Sequence, residues 1–125
     1  MKRDMDFIRE LLLKIEGGQK EFEIIGQAYT GGIDPPEIAK LTEHIRLLKQ
    51  AGFIDVQAES SGGYILLKGL SWKGHDFLDS VRDPKIWEKT KSGAMAAGGF
   101  TVDLLIDLAK GFVKKQIEER TGVKL

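Results

Sequence analysis

The chain has 125 residues, no cysteine, and 19 Lys or Arg against 19 Asp or Glu. A chain of this size fits one domain with a substantial core. Without thiols it can build neither a disulfide framework nor a thiolate metal site. Zero formal charge gives no overall pull toward a polyanion, so nucleic-acid binding has to rest on a local basic patch.

The opening Met1-Lys2-Arg3-Asp4-Met5-Asp6 alternates charge and lacks the apolar run and small-residue cleavage site of a signal peptide. A cytoplasmic location is therefore expected. Met5, Ile8, Leu12 and Ile15 recur at helical spacing, with Leu11 widening the stripe, which predicts a helix over 4–15. Gly17 and Gly18 end it. Residues 21–25 read as a short strand or irregular segment and 26–32 as loop.

Asp34-Pro35-Pro36-Glu37 is a helix start. The Asp34 carboxylate accepts from free backbone N–H groups, Pro35 takes the first position, where no N–H is needed, and Glu37 stands where a capping-box carboxylate reaches back. Ile38, Leu41, Ile45 and Leu48 form the inward stripe, Gly52 supplies the left-handed stop, and Phe53 follows as its apolar anchor. Residues 53–58 and 64–68 then read as two strands joined by a glycine-containing turn over 60–63.

Ser71 caps a helix that buries Phe77, Leu78 and Val81, and Asp83-Pro84 opens another that places Trp87 one turn in. Trp72 and Trp87 each follow a cap and precede apolar residues, so both are expected to pack in the core rather than to stack on bases. The Gly- and Ala-rich stretch 92–99 reads as the one linker. Thr101 caps a long helix with Val102, Leu105, Ile106, Ala109, Phe112, Val113 and Ile117 on one face and Gly122 at its end. That face is expected to cover the core or to form a dimer seam over 102–117. Asp103, Asp107 and Lys110 rule out a membrane span there and make a membrane-surface role a poor fit.

Catalytic chemistry is not legible. No phosphate-binding loop, Gly-x-Ser-x-Gly elbow or His-Glu-x-x-His pair occurs. His75 and Asp79 stand one turn apart, but two ligands make a poor metal site, and a hydrogen bond or simple exposure is the plainer reading. No cofactor, metal or small-molecule ligand is expected, and the chain reads as non-enzymatic.

The candidate binding residues lie on the 34–51 helix. Lys40, Arg46, Lys49 and Gln50 fall off the apolar stripe and could reach phosphates or base edges, with Arg46 the best guanine reader. His44 could contact a phosphate or base, or sit as a helix-surface or boundary histidine. Lys68, with Lys73, would extend a basic strip along the hairpin. Glu37 and Glu43 share the helix and would repel phosphates, and a solvated mixed-charge face is the competing reading.

Two resemblances follow from these residues. The run Thr42-Glu43-His44-Ile45-Arg46-Leu47-Leu48-Lys49-Gln50-Ala51-Gly52-Phe53-Ile54 resembles the recognition-helix signature of small bacterial winged-helix regulators, and Leu70-Ser71-Trp72-Lys73-Gly74 resembles their exit from the wing. The glycine-rich 26–32 stretch stands where such regulators carry a supporting helix. Over nearly its full length the chain resembles the bacterial and phage family known as domain of unknown function 2513. That resemblance rests on Met1-Lys2-Arg3-Asp4-Met5-Asp6, on the block from Trp72 to Asp79, and on Arg82-Asp83, Ile86-Trp87 and Lys89-Thr90-Lys91. It implies a bacterial or prophage origin.

The expected fold is therefore α+β: one winged-helix-like domain over 1–125, with a core over 1–91, a β-hairpin wing and a C-terminal helix over 101–121. Two functions compete. One is a DNA-binding regulator that uses Lys40, His44, Arg46, Lys49, Gln50 and Lys68. The other is a protein-interaction or self-association module on the same scaffold.

Overall fold

The computed structural model describes residues 2–23, 36–60, 63–96 and 101–125. Among these described residues eight elements follow one another: α1 (Met5–Glu16), β1 (Glu21–Glu23), α2 (Pro36–Ala51), β2 (Ile54–Glu59), β3 (Tyr64–Leu70), α3 (Trp72–Val81), α4 (Pro84–Ala96) and α5 (Val102–Thr121). The architecture is α+β, with the β2–β3 hairpin, the long α5 and the element order of a winged-helix-like domain. By residue contacts the chain divides into two compact units, Met1–His75 and Asp76–Leu125, and the division falls within α3.

In the first unit, α1 starts because the Asp4 carboxylate accepts the Phe7 N–H at 3.1 Å. Its apolar residues, Met5, Ile8, Leu11, Leu12 and Ile15, are all buried. Each side chain of this kind contributes about 1.5–3 kcal/mol by leaving water. Gly18, at φ 113°, turns the chain toward the sheet.

That sheet has the order β1-β3-β2 and is antiparallel throughout. Phe22 pairs with Ile65, and both are buried, which fixes the inner face. The β2–β3 ladder runs Asp55↔Gly69, Val56↔Leu67, Ala58↔Leu66, so it carries two irregularities that leave Lys68 and Gln57 without a direct partner. Bulges of this kind bend a strand and re-aim its side chains.

The expected strand over 21–25 is present for Glu21–Glu23. The rest of that segment, the 26–32 loop with its bearing on a supporting helix, and the Asp34-Pro35 start lie outside the described residues. From Pro36 onward α2 forms as the stripe requires. Ile45 and Leu48 are fully buried, while Ile38 and Leu41 are half-buried. Gly52, at φ 74°, ends it. Its N–H bonds to Lys49 O and the Phe53 N–H to Leu48 O at 3.0 Å, so two otherwise unpaired helix carbonyls are satisfied.

In the second unit Phe77, Leu78 and Val81 of α3 are buried, as their spacing predicts. The Asp83 carboxylate caps α4 by accepting the Lys85 and Ile86 N–H groups, and Trp87 is buried one turn in. The linker expected over 92–99 needs correction over 92–96, where α4 continues through Ala96 and Ala94 is fully buried, while 97–99 lie outside the described residues. Ala and Met are good helix formers. A Cβ at Gly93 would stand at ordinary contact distance, 3.4 Å, from Leu108 of α5.

The α5 helix begins at Thr101, whose hydroxyl accepts the Leu104 N–H at 3.2 Å, and ends at Gly122, at φ 72°. Its stripe is not uniformly covered. Leu105 and Ala109 are fully buried, Ile106, Phe112 and Val113 half-buried, and Ile117 exposed, while the Val102 side chain lies outside the described set. Among the described residues no helix is long and apolar enough to cross a membrane.

Candidate functional site

The surface to test is the outward side of α2 with the hairpin beside it. Seen along α2, Arg46 and Gln50 stand one turn apart on the side away from Ile45 and Leu48, and both are exposed. Glu43, one turn before Arg46 on the same side, is half-buried.

His44 is not on that surface, which corrects its assignment as a phosphate or base contact. Its side chain is fully buried. Nε2 accepts the Asp4 backbone N–H at 2.9 Å, and Nδ1 lies 2.8 Å from the Lys40 carbonyl oxygen. The Phe7 ring meets it edge-on, with centroids 4.9 Å apart. The sequence did carry a signal for this position. His44 precedes Leu48 by one helical turn and adjoins Ile45, which places it on the flank of the inward stripe.

The lysines that looked available for phosphates sit beside acids of the same unit. Lys40 Nζ donates to Asp4 Oδ2 at 2.7 Å and also lies 4.7 Å from the Phe7 ring centre. The Lys40 ammonium and then the Phe7 N–H hold the Asp4 carboxyl below its ordinary value. Lys49 Nζ donates to Glu59 Oε2 at 2.8 Å, joining α2 to β2. Exposed pairs of this kind are worth about 0–1 kcal/mol, so their main effect here is to neutralise charge. Lys68 is exposed at the first ladder irregularity. Around it the hairpin and its neighbour present the exposed acids Glu21, Glu23, Asp55 and Glu59. Over residues 1–75 the sequence holds ten Lys or Arg against eleven Asp or Glu. The structure thus keeps Arg46, Lys49, Gln50 and Lys68 exposed on one unit, removes His44, and gives no uninterrupted basic strip.

A second correction concerns Trp72, which was expected in the core and is instead 85% exposed. The reason is periodicity. Gly74, Phe77, Leu78, Ser80 and Val81 are the buried positions of α3, and Trp72 lies two residues before Gly74, roughly half a turn around the helix. Its backbone is nonetheless held firmly. The preceding Ser71 donates its N–H to Phe53 O at 3.0 Å, donates its hydroxyl to Gly52 O, and accepts the Gly74 N–H at 3.0 Å. Lys73 lies over the Phe53 ring. The tryptophan therefore projects from a junction where the end of α2 and the start of α3 are bonded together.

The remaining candidates are simpler. His75 and Asp79 are both exposed, and Asp79 accepts from Arg82 at 2.8 Å. Among the described residues no three His, Asp or Glu side chains gather as a metal site would require. Lys91 pairs with Glu88 at 3.0 Å and lies over the Trp87 ring, so it adds little to a basic patch.

Comparison with known proteins gives a family. The profile described as "Hypothetical protein (DUF2513)" matches residues 2–100, which ends one residue before the Thr101 cap of α5. A Haemophilus influenzae protein named "Uncharacterized protein" is 31% identical over 112 residues, covering 88% of this chain and 90% of the relative. No solved structure matches. With most of its length inside the family profile and an α+β, winged-helix-like order of elements, the chain belongs to the DUF2513 family.

Proposed function

We propose that this chain is a protein-binding module built on a winged-helix-like scaffold, with Trp72 as its anchor. The exposure of Trp72 on a rigid junction carries the reading. Tryptophan and arginine are the side chains most enriched at energetic hot spots of protein interfaces, and an anchor on a fixed backbone loses little entropy on binding. Trp72 is 85% exposed, and Ser71 holds its backbone in place. The charge pattern supports the same reading. Lys40 and Lys49 are matched by Asp4 and Glu59, and Glu43 stands beside Arg46, so the unit offers mixed polar contacts of the kind found at an interface rim.

Duplex DNA is the second reading, and one observation favours it: Arg46 and Gln50 project outward from α2, while Lys68 projects from the hairpin. The two readings separate in one experiment. Immobilised wild-type, Trp72→Ala, Lys89→Ala and Arg46→Ala/Lys68→Ala chains are exposed to host extract, and whatever is retained is purified and titrated against each. A protein whose affinity falls about tenfold or more in Trp72→Ala and is unchanged in Lys89→Ala supports the protein-binding reading. Nuclease-sensitive material lost in Arg46→Ala/Lys68→Ala and kept by Trp72→Ala supports the DNA reading instead.

A further inference from the structure

The surroundings of His44 fix its chemical state. A backbone N–H points at Nε2, so that nitrogen must present a lone pair. The other nitrogen faces the Lys40 carbonyl, which can only accept, so Nδ1 must carry the hydrogen. The ring is therefore neutral and in the Nδ1–H tautomer, with both nitrogens used and no exposed edge. Among the described residues no buried side-chain nitrogen or oxygen lacks a partner.

The bond it makes sits at a structural joint. Asp4 caps α1 through its carboxylate, while its own N–H is taken by the histidine of α2. Two charged groups meet at this joint, the Asp4 carboxylate at the head of α1 and the Lys40 ammonium of α2, 2.7 Å apart. They offset each other, and what remains decisive is the direction of the hydrogen bond. A proton added at Nε2 would set an N–H donor against the Asp4 N–H donor, and the two cannot share that bond.

We infer that His44 is a proton-operated latch that fastens the head of α1 to α2, so that protonation of the ring and release of the Asp4 N–H are one event. The inference is independent of the protein-binding proposal and concerns a different face of α2. Release would leave the start of α1 unanchored and free the Asp4–Lys40 pair to rearrange.

The test is a pH titration by NMR on the full chain. Two-bond nitrogen–proton spectra identify the tautomer of each ring, with the exposed His75 as internal reference. Amide exchange then reports on Asp4. The expected result is a bare Nε2 on His44 at neutral pH, and a protection of the Asp4 N–H that falls about tenfold in step with the titration of His44 rather than of His75. The Asp4→Asn variant keeps the backbone N–H and removes the carboxylate, so the same acid opening is expected in it. An Nε2–H tautomer would overturn the latch. So would Asp4 protection that survives protonation of His44, opening that disappears in Asp4→Asn, or global unfolding that precedes any local loss at Asp4.

Discussion

A Cβ built on Gly74 would stand 2.0 Å from the carbonyl oxygen of Phe53. The first turn of α3 thus touches the backbone leaving α2, and only a residue without a side chain fits. The same carbonyl accepts the Ser71 N–H, and the Ser71 hydroxyl bonds to Gly52. These contacts give a physical reason for the pairing of Gly52-Phe53 with Ser71-x-x-Gly74: the two segments form one joint, and Trp72 sits on it.

Gly74→Ala is accordingly expected to be among the most damaging single-methyl changes in the chain. Backbone cannot yield as a flexible side chain can, so the cost should reach the upper end of overpacking, about 3 kcal/mol. Gly111→Ala is the contrasting case. Nothing lies within 4 Å of a Cβ there, and the site is inside α5, so alanine should stabilise by about 0.5–1 kcal/mol. Urea midpoints of the two variants should move in opposite directions.

The two tryptophans should behave oppositely as well. Trp72→Ala is expected to change stability by less than about 0.5 kcal/mol, because nothing covers it in the unbound chain. Trp87, at 3% exposure, should cost about 3–5 kcal/mol when truncated. Acrylamide quenching of Trp72→Phe and Trp87→Phe variants checks the exposure directly. The fluorescence that remains should be shielded in the first and readily quenched in the second.

The Asp4 carboxyl gives a pH dependence of known sign. Its lowered folded-state value means that protonation is harder in the folded chain than in the unfolded one. Its stabilising contribution is therefore complete above the ordinary carboxylate value of 3.8 and is lost as pH falls through the lowered one. The gap in urea midpoint between wild type and Asp4→Asn should be steady from pH 7 to about pH 5 and shrink at more acidic pH. Because the Lys40–Asp4 pair is partly exposed, added salt should narrow the gap too.

If the protein-binding reading is right, reversing the charge of Lys40 and Lys49 should leave affinity for random duplex DNA, and its dependence on salt, unchanged. Both lysines are matched within the chain. A DNA-binding surface built on them would instead lose affinity and show a shallower salt slope.

Much of this arrangement was legible in the residues. The caps at Thr101 and Asp83, the stops at Gly52 and Gly122, and the hairpin of β2 and β3 follow local rules that tertiary context did not override. What misled was context. His44 is polar, and polarity alone suggested the surface, but a backbone N–H from forty residues away satisfies it in the interior. Trp72 is large and apolar, yet its helical phase turned it outward. The 92–99 stretch reads as linker because it is rich in Gly and Ala, yet over 92–96 it continues α4 and buries Ala94. The bond to His44 is distant in sequence, beyond any local window, whereas the phase of Trp72 follows from the spacing of Phe77, Leu78 and Val81 within its own helix.

The most direct measurement is photo-cross-linking in the bacterial host, with a benzophenone side chain placed at position 72 of the full chain and, as a control, at position 89. A single defined protein adduct from position 72 that is absent from position 89 is the result expected of a protein-binding module anchored by Trp72. No adduct from position 72, or one that nuclease digests away, would contradict it.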